Sequence, residues 1–246
     1  MTKPNKDYWK DGQVTGYERK QRLLVPGKDE LLDVVVDSIT LDEAQGPYIV
    51  DVGAGQGHLS ERILRRFENV RVVLLDSSEE MLSVARKRLA EFGSRASFEV
   101  GDFNHAQWHN CIETPVDVVV SSIALHYLED ERRFPFFESV FHVLKKAGCF
   151  INGDAFNMAD PSDQMRCERV MLEYTQQRLA QDEGKKVSID ELREQRERQS
   201  VKAGVNRISL SEQVDILRQV GFPNVEVVWR HLLMAVVAAG KRGTFT

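Results

Sequence analysis

Three carboxylates, each within or just after a short apolar run, are the residues best placed to do chemistry. Asp51 lies in Tyr48-Ile49-Val50-Asp51-Val52, Asp76 follows Val72-Val73-Leu74-Leu75, and Asp102 follows Phe98-Glu99-Val100-Gly101. The first run breaks into Gly53-Ala54-Gly55-Gln56-Gly57, whose glycines let the backbone bend sharply and approach a ligand. Helical apolar spacing then begins, with Leu59, Ile63 and Leu64 in His58 to Phe67, so the first N–H groups of that helix face back towards the turn. Asp76 stands where a carboxylate can take both hydroxyls of a ribose. Nucleoside binding is the chemistry this spacing predicts.

Glycine order narrows the nucleoside. A dinucleotide fingerprint, G-x-G-x-x-G, needs a third glycine where this chain has His58, so nicotinamide binding is disfavoured. The pattern D-x-G-x-G-x-G, with Asp76 and Asp102-Phe103 downstream, resembles the class I S-adenosylmethionine-dependent methyltransferases. That resemblance implies S-adenosyl-L-methionine as cofactor. By it, Asp51 orients the ligand ammonium, Gly53, Gly55 and Gly57 line the methionine half, and Asp76 with Ser77 grips the ribose. Asp102 takes the adenine amino group, Phe103 or Met81 covers the adenine face, and Ser121 at the fourth strand's end borders the site. For Met81 the competing reading is ordinary core.

The strand ends also carry candidates for the transfer step. His126 and Tyr127, in the Leu125-His126-Tyr127-Leu128 loop, border the transferred group if the resemblance holds, and a histidine there is the best candidate by position for taking a proton. Arg230, beside His231, is a further catalytic candidate, while Asn152 and Asp154 are read as substrate contacts. His105, His109 and Cys111 lack the H-E-x-x-H or paired C-x-x-C setting of a metal site, so no metal is expected. Ser121-Ser122-Ile123 stands where family members that methylate nucleobase amines carry Asn/Asp-Pro-Pro-aromatic, which disfavours that substrate.

Positioning these residues requires a sheet. Strands are expected near 48–52, 71–75, 96–100, 116–121 and 147–154, alternating with helices, which predicts an α/β, Rossmann-like, doubly wound fold. Glu131 to Lys145 has helical spacing at Phe134, Phe137, Val140, Phe141 and Leu144, with Lys145 and Lys146 at its C-terminus and Gly148 as cap. Ser77-Ser78-Glu79-Glu80 reads as a capping box. A helix over 211–220, stopped by Gly221 and Pro223, leads to strands near 225–230 and 232–239, an antiparallel hairpin that completes seven strands.

Two segments fall outside this alternation. Residues 1–45 are expected to form a helical lid segment, or else a flexible tail that packs on the surface, with Tyr8, Trp9 and Tyr17 before an amphipathic helix carrying Leu31, Leu32, Val35, Val36 and Ile39. Residues 158–207 form a helical cap insertion, with helices over 164–179 and 188–202, leaving 46–157 and 208–246 as the cofactor-binding domain. The overall layout is similar to that of the carboxy-S-adenosylmethionine synthases.

Composition limits the partners. The 246 residues are 42% apolar with a net charge of -5, which suits a globular protein and disfavours a nucleic-acid backbone as substrate. Three scattered cysteines imply no disulfide framework, and neither Met1 to Lys10 nor Leu232 to Ala239 has the apolar length of a secretion signal or a span. A cytoplasmic monomer or homodimer with a small-molecule substrate and no membrane is expected. Its activity is expected to be methylation of that substrate by in-line transfer. The alternatives are non-methyl chemistry on the cofactor itself, or a binding-only partner subunit.

Overall fold

The computed structural model describes Gly16, Arg19 and residues 23–242. The proposed lid residues Tyr8, Trp9 and Tyr17 lie outside the described residues. Seven strands, β1 (Tyr48–Val52), β2 (Arg71–Asp76), β3 (Ala96–Val100), β4 (Val116–Ser122), β5 (Leu144–Ala155), β6 (Asn224–His231) and β7 (Met234–Gly240), form one sheet in the order β3-β2-β1-β4-β5-β7-β6. The first five are parallel, and β7 runs antiparallel to both β5 and β6. Chain order reverses between β1 and β4, the place in an open α/β sheet where a crevice opens beyond the strand ends. The seven-stranded, Rossmann-like fold with its antiparallel C-terminal hairpin is as expected.

Apolar faces on both sides of the sheet explain its burial. Helices α1 (Lys28–Asp37), α2 (His58–Arg66) and α3 (Glu79–Arg88) bring Leu31, Ile63 and Leu82 onto a core with Leu74, Val118 and Ile151. On the opposite face α4 (Asp130–Val143) and α7 (Leu210–Val220) bring Phe136, Phe137 and Leu217 onto Val50, Val52 and Phe150. Because strands buried on both faces need no polar side, all five residues of β1 are buried, Asp51 among them.

The helix α1 comes closest to the sheet at Gly153. A Cβ there would stand 2.6 Å from Leu31 Cδ2 and 2.9 Å from Val35 Cγ2, both on side chains with no exposed surface. Gly153→Ala is therefore expected to cost about 1–3 kcal/mol by overpacking, read as a lower denaturant midpoint with unchanged slope. An unchanged midpoint would mean that α1 docks loosely.

Local details depart from expectation in three places. The helix α4 ends at Val143, with Leu144 already extended, so Lys145 and Lys146 belong to β5 and Gly148 caps nothing. There the Lys145 ammonium meets both carboxylate oxygens of Asp117 at 2.9 Å, a cross-strand use for a charge expected at a helix dipole. The buried stripe of α4 is Arg133, Phe136, Phe137, Val140 and Val143, and Phe134 is exposed, because the helix faces the sheet one position out of phase with the expected set. Ser78, not Ser77, is the N-cap of α3 and accepts from Met81 N–H at 3.2 Å, so the expected capping box does not form. Boxes do form at Ser188–Glu191 and Ser209–Glu212.

Helices α5 (Pro161–Glu183) and α6 (Ile189–Ala203) occupy the segment between β5 and α7. Asp160 caps α5, accepting from Ser162 N–H at 2.7 Å and Asp163 N–H at 3.2 Å, and Gly184 ends it in the left-handed region. The turn between β6 and β7 uses Leu232 at φ 53°, a conformation that costs a branched residue energy. The compensation is burial: the next residue, Leu233, packs on Cys167 and Met171 of α5. Thr175 Oγ1 also donates to the Leu23 carbonyl at 3.0 Å, tying α5 to the segment before α1.

Candidate active site

Beyond the ends of β1, β2 and β4 the sequence has put glycine, acid and loop side by side. From β1 the chain crosses to the end of β2, where Gly53 and Ala54 N–H donate to the Leu75 carbonyl at 2.8 and 3.1 Å. Gly53, Gly55 and Gly57 all have positive φ. Their missing side chains serve different ends. At Gly53 a Cβ would lie 2.4 Å from Ala124 Cβ, so the glycine lets the post-β4 loop close on the turn. At Gly55 a Cβ would meet nothing within 4 Å, and would project into open space. At Gly57, the N-cap of α2, a Cβ would meet Leu74, Ala85 and Leu89 at 3.1–3.2 Å, so this glycine makes room for α2 against the sheet.

Asp76 is the hub of this corner. One carboxylate oxygen accepts from Gly55 N–H at 2.8 Å and the other from Ser78 N–H at 2.9 Å, which fixes the glycine turn against the start of α3. Burial raises its pKa, the two backbone donors pull it back, and Asp102 nearby raises it further. Asp102 Oδ1 accepts from Asn104 N–H at 2.9 Å, and His105 Nε2 lies 3.6 Å from Oδ2. Phe103 lies alongside, its ring 3.4 Å from the Gly53 Cβ position and edge-on to Phe136. Met81 is 3% exposed at the start of α3 and Ser77 is exposed before it, whereas Ser121 is fully buried and donates to the Val52 carbonyl at 2.8 Å. Ser121 thereby laces the ends of β4 and β1 together.

Asp51 is a second perturbed carboxyl in this corner. Ser60, on the inner face of α2, donates to Oδ2 at 2.7 Å, while Oδ1 is buried without a hydrogen-bond partner. Burial lifts the group to about 7, the Ser60 bond opposes that, and the charge of Asp76 adds to it. From its ordinary 3.8 up to about 7 the folded chain therefore keeps a proton that the unfolded chain has released. The group's share of stability is fully present below 3.8 and is lost as pH rises through that window. Asp51→Asn is expected to flatten this decline, visible as a weaker fall in the urea midpoint between the two limits; an unaltered fall would assign it to another group.

The post-β4 loop holds His126 with care. Its first residue, Ile123, has φ 52° and donates its N–H to the Gly153 carbonyl at 2.8 Å, a strained arrangement for a β-branched residue. His126 then sits in a turn of 3-10 helix, 8% exposed, with Nδ1 2.6 Å from Asp154 Oδ1 and its backbone N–H 3.1 Å from Asp154 Oδ2. Asp154 is 2% exposed, so this carboxylate, expected to contact substrate, is instead committed to His126. A ring donating from Nδ1 keeps Nε2 as its proton acceptor. Tyr127 stacks on it, ring centroids 4.2 Å apart. Asn206 braces the loop from below, donating to the His126 carbonyl at 2.7 Å and to the Leu128 carbonyl at 3.0 Å, and its own carbonyl accepts from the buried Arg133.

The remaining expected site residues are dispersed. Asn152 is 1% exposed beside Asp154, whereas Arg230 is exposed on β6 and its guanidinium contacts the Met158 sulfur. Among the described residues no group of three His, Cys, Asp or Glu side chains is gathered as a metal site.

Residues 49–148, from β1 into β5, match the family described as a methyltransferase domain. That match covers the first four strands and the start of the fifth, so this part of the chain is a methyltransferase domain, and the sheet order with its antiparallel β7 agrees. Along most of its length the chain is similar to carboxy-S-adenosyl-L-methionine synthase of Nautilia profundicola, 19% identical over 84% of this chain and 82% of the relative. Its fold is similar to that of the pyocyanin biosynthetic protein PhzM, at TM-score 0.60 and 21% identity over 94% of this chain and 62% of the other. It is also similar in fold to phosphoethanolamine N-methyltransferase 2 of Haemonchus contortus, at TM-score 0.63 and 16% identity over 92% and 46%. The chain thus spans less than two thirds of those two solved chains.

Sequence reasoning named Asp51, Asp76, Asp102, His126 and Asp154 but not Ser60, Asn206 or Arg133. Arg133 left a signal, since it falls three and four residues before the buried Phe136 and Phe137, on the apolar stripe of α4. Ser60 and Asn206 left none, because each is defined by a partner far away in sequence.

Proposed function

We propose that this methyltransferase transfers the methyl group of S-adenosylmethionine to a small-molecule nucleophile, with His126 taking the acceptor's proton. The observation that carries this reading is the buried His126–Asp154 pair in the loop that closes on the glycine turn at Ala124. The cofactor supplies a carbon already activated by a sulfonium, so the chain's task is to hold the acceptor in line and exclude water. His126 Nε2 receives the proton, Asp154 keeps the ring in the tautomer that allows it, and Tyr127 walls the ring's face.

Two features of the chain fit the cofactor. The partnerless Asp51 Oδ1 is an acceptor waiting for a cationic donor, such as the ligand's ammonium, and the open space at Gly55 accommodates an amino-acid tail. Asp76 keeps lone pairs beyond its two backbone bonds for the ribose hydroxyls, with Ser77 beside it. Asp102 serves the adenine amino group, and Phe103 and Met81 flank the ring. Residues 158–207 act as a cap, residues 1–45 as a lid, and Arg230 and Asn152 lie towards the acceptor side. No helix among the described residues is long and apolar enough to cross a membrane. We read the protein as cytoplasmic, a monomer or homodimer, acting without nucleic acid.

An ammonium beside Asp51 favours its carboxylate, so ligand binding should expel a proton near neutrality. Affinity for S-adenosylhomocysteine is expected to rise with pH up to about 7 and then level, with Asp51→Asn removing the slope. Calorimetry in two buffers of different ionisation enthalpy reads the proton directly; zero release at pH 6.5 would dissociate Asp51 from the ligand. The function itself is tested by incubating the protein with labelled S-adenosylmethionine and fractions of small metabolites. Release of S-adenosylhomocysteine with label in a small product supports it, and methylthioadenosine or a modified cofactor as sole product overturns it.

A further inference from the structure

Beside His126 and Asp154, and lined by them, lies a small, partly open space bounded also by Asn152, Arg133, Arg207 and Gln213. It measures about 10 Å³, room for about one water or one ligand oxygen. Three of the atoms that these side chains bury have no hydrogen-bond partner: Asn152 Oδ1, Gln213 Nε2 and Arg207 Nε. Asn152 and Gln213 are 1% and 2% exposed, so bulk water does not serve them. Gln213 Nε2 and Arg207 Nε are unmet donors and Asn152 Oδ1 an unmet acceptor, and such groups normally cost a fold stability unless something satisfies them.

A second guanidinium lies near enough to feel the charge of the first. Arg196, on α6, has Nη1 buried without an acceptor, and its Nη2 touches only the Met171 sulfur at 3.8 Å. Burial, and then the like charge of Arg207, holds its pKa down to about 10, with Glu168 of α5 the acid that opposes them. Arg207 has no carboxylate bonded to it among the described residues. Its backbone is fixed to the exit of β5, where Asn157 Nδ2 donates to the Arg207 carbonyl at 2.8 Å and Asn157 N–H donates to the Ile208 carbonyl at 2.9 Å. One arginine is thus anchored to the sheet and the other to the capping helices. Like charges so placed repel until an anion arrives, and a planar guanidinium fork matches a carboxylate or phosphate better than a neutral group.

We propose that Arg196 and Arg207 bind an oxyanion, carboxylate or phosphate, carried by the methyl acceptor, which makes the substrate a small anionic molecule. This rests on the reading of the site as a methyltransferase active site. The oxyanion bridges sheet and cap, and one of its oxygens reaches the donors Arg207 Nε and Gln213 Nε2 beside His126. Because the two arginines come from different elements, binding the acid end of the substrate also draws α6 towards the strand ends and excludes water from the transfer.

The test uses the full chain saturated with S-adenosylhomocysteine and titrated with succinate or inorganic phosphate, against sodium chloride at equal ionic strength, read by thermal shift. At least one oxyanion is expected to raise Tm beyond chloride, and whichever saturates at lower concentration distinguishes carboxylate from phosphate. Arg196→Gln and Arg207→Gln are each expected to weaken that response by about tenfold or more, while Arg193→Gln, exposed on the same helix, leaves it intact. If Arg207→Gln does not fold, Arg196→Gln alone decides. No response beyond chloride in the wild type, or a full response in the arginine variants, overturns the proposal. Failure of the cofactor reading is separately visible, as no shift with S-adenosylhomocysteine before any oxyanion is added.

Discussion

Asp76→Ala is expected to weaken S-adenosylhomocysteine binding by about tenfold to over a hundredfold, the equivalent of roughly 1.5–3 kcal/mol for a charge-assisted hydrogen-bonded group. Two losses combine. The ribose hydroxyls lose their acceptor, and the N–H groups of Gly55 and Ser78 lose the oxygens that hold the turn, at 2.8 and 2.9 Å, against α3. Asp76→Asn separates them, since the amide keeps one oxygen and the side-chain shape but loses the charge, and should fall between the wild type and alanine. Titration calorimetry on variants with native circular dichroism gives the numbers. Wild-type affinity in folded Asp76→Ala would remove this residue from the site. Gly55→Val probes the same corner from the other side: a branched side chain at φ 54° both strains the turn and fills the open space, so detectable binding should vanish.

His126→Ala is expected to lower kcat by about a hundredfold to ten-thousandfold, the usual range for a general base, while affinity for S-adenosylhomocysteine changes little. The split follows from position, because His126 lies in the post-β4 loop and the proposed cofactor contacts come mainly from the ends of β1, β2 and β3. Asp154→Asn should reduce kcat in the same direction, since an amide no longer enforces the Nδ1-protonated ring that faces Oδ1 at 2.6 Å. Initial rates with any acceptor that supports wild-type turnover provide the comparison. Equal losses of kcat and cofactor affinity in His126→Ala would mean that the residue merely supports the loop.

The elements legible in the sequence were those whose signal is local. β1 and the glycine turn announce themselves through β-branched residues followed by Gly53, Gly55 and Gly57, and the helix after them through its apolar spacing. Capping at Ser188 was equally local, and it formed as read. Three things were hidden. The phase of α4 failed because Phe134 and Phe141 made a plausible stripe one position away from the one the sheet selects, and only packing distinguishes them. Lys145 and Lys146 looked like helix-terminal charges because β5 starts before its apolar run does. The Asp154–His126 pair joins residues 28 apart on neighbouring strand ends, so each was visible as a candidate but their relation depended on the register of β4 against β5.

The most direct measurement is a crystal structure of the protein with S-adenosylhomocysteine. The ligand's ammonium should lie within hydrogen-bond distance of Asp51 Oδ1, its tail along Gly53 and Gly55, and its ribose hydroxyls on Asp76. Ligand density elsewhere, or a bound ribose with Asp76 turned away from it, would contradict the account.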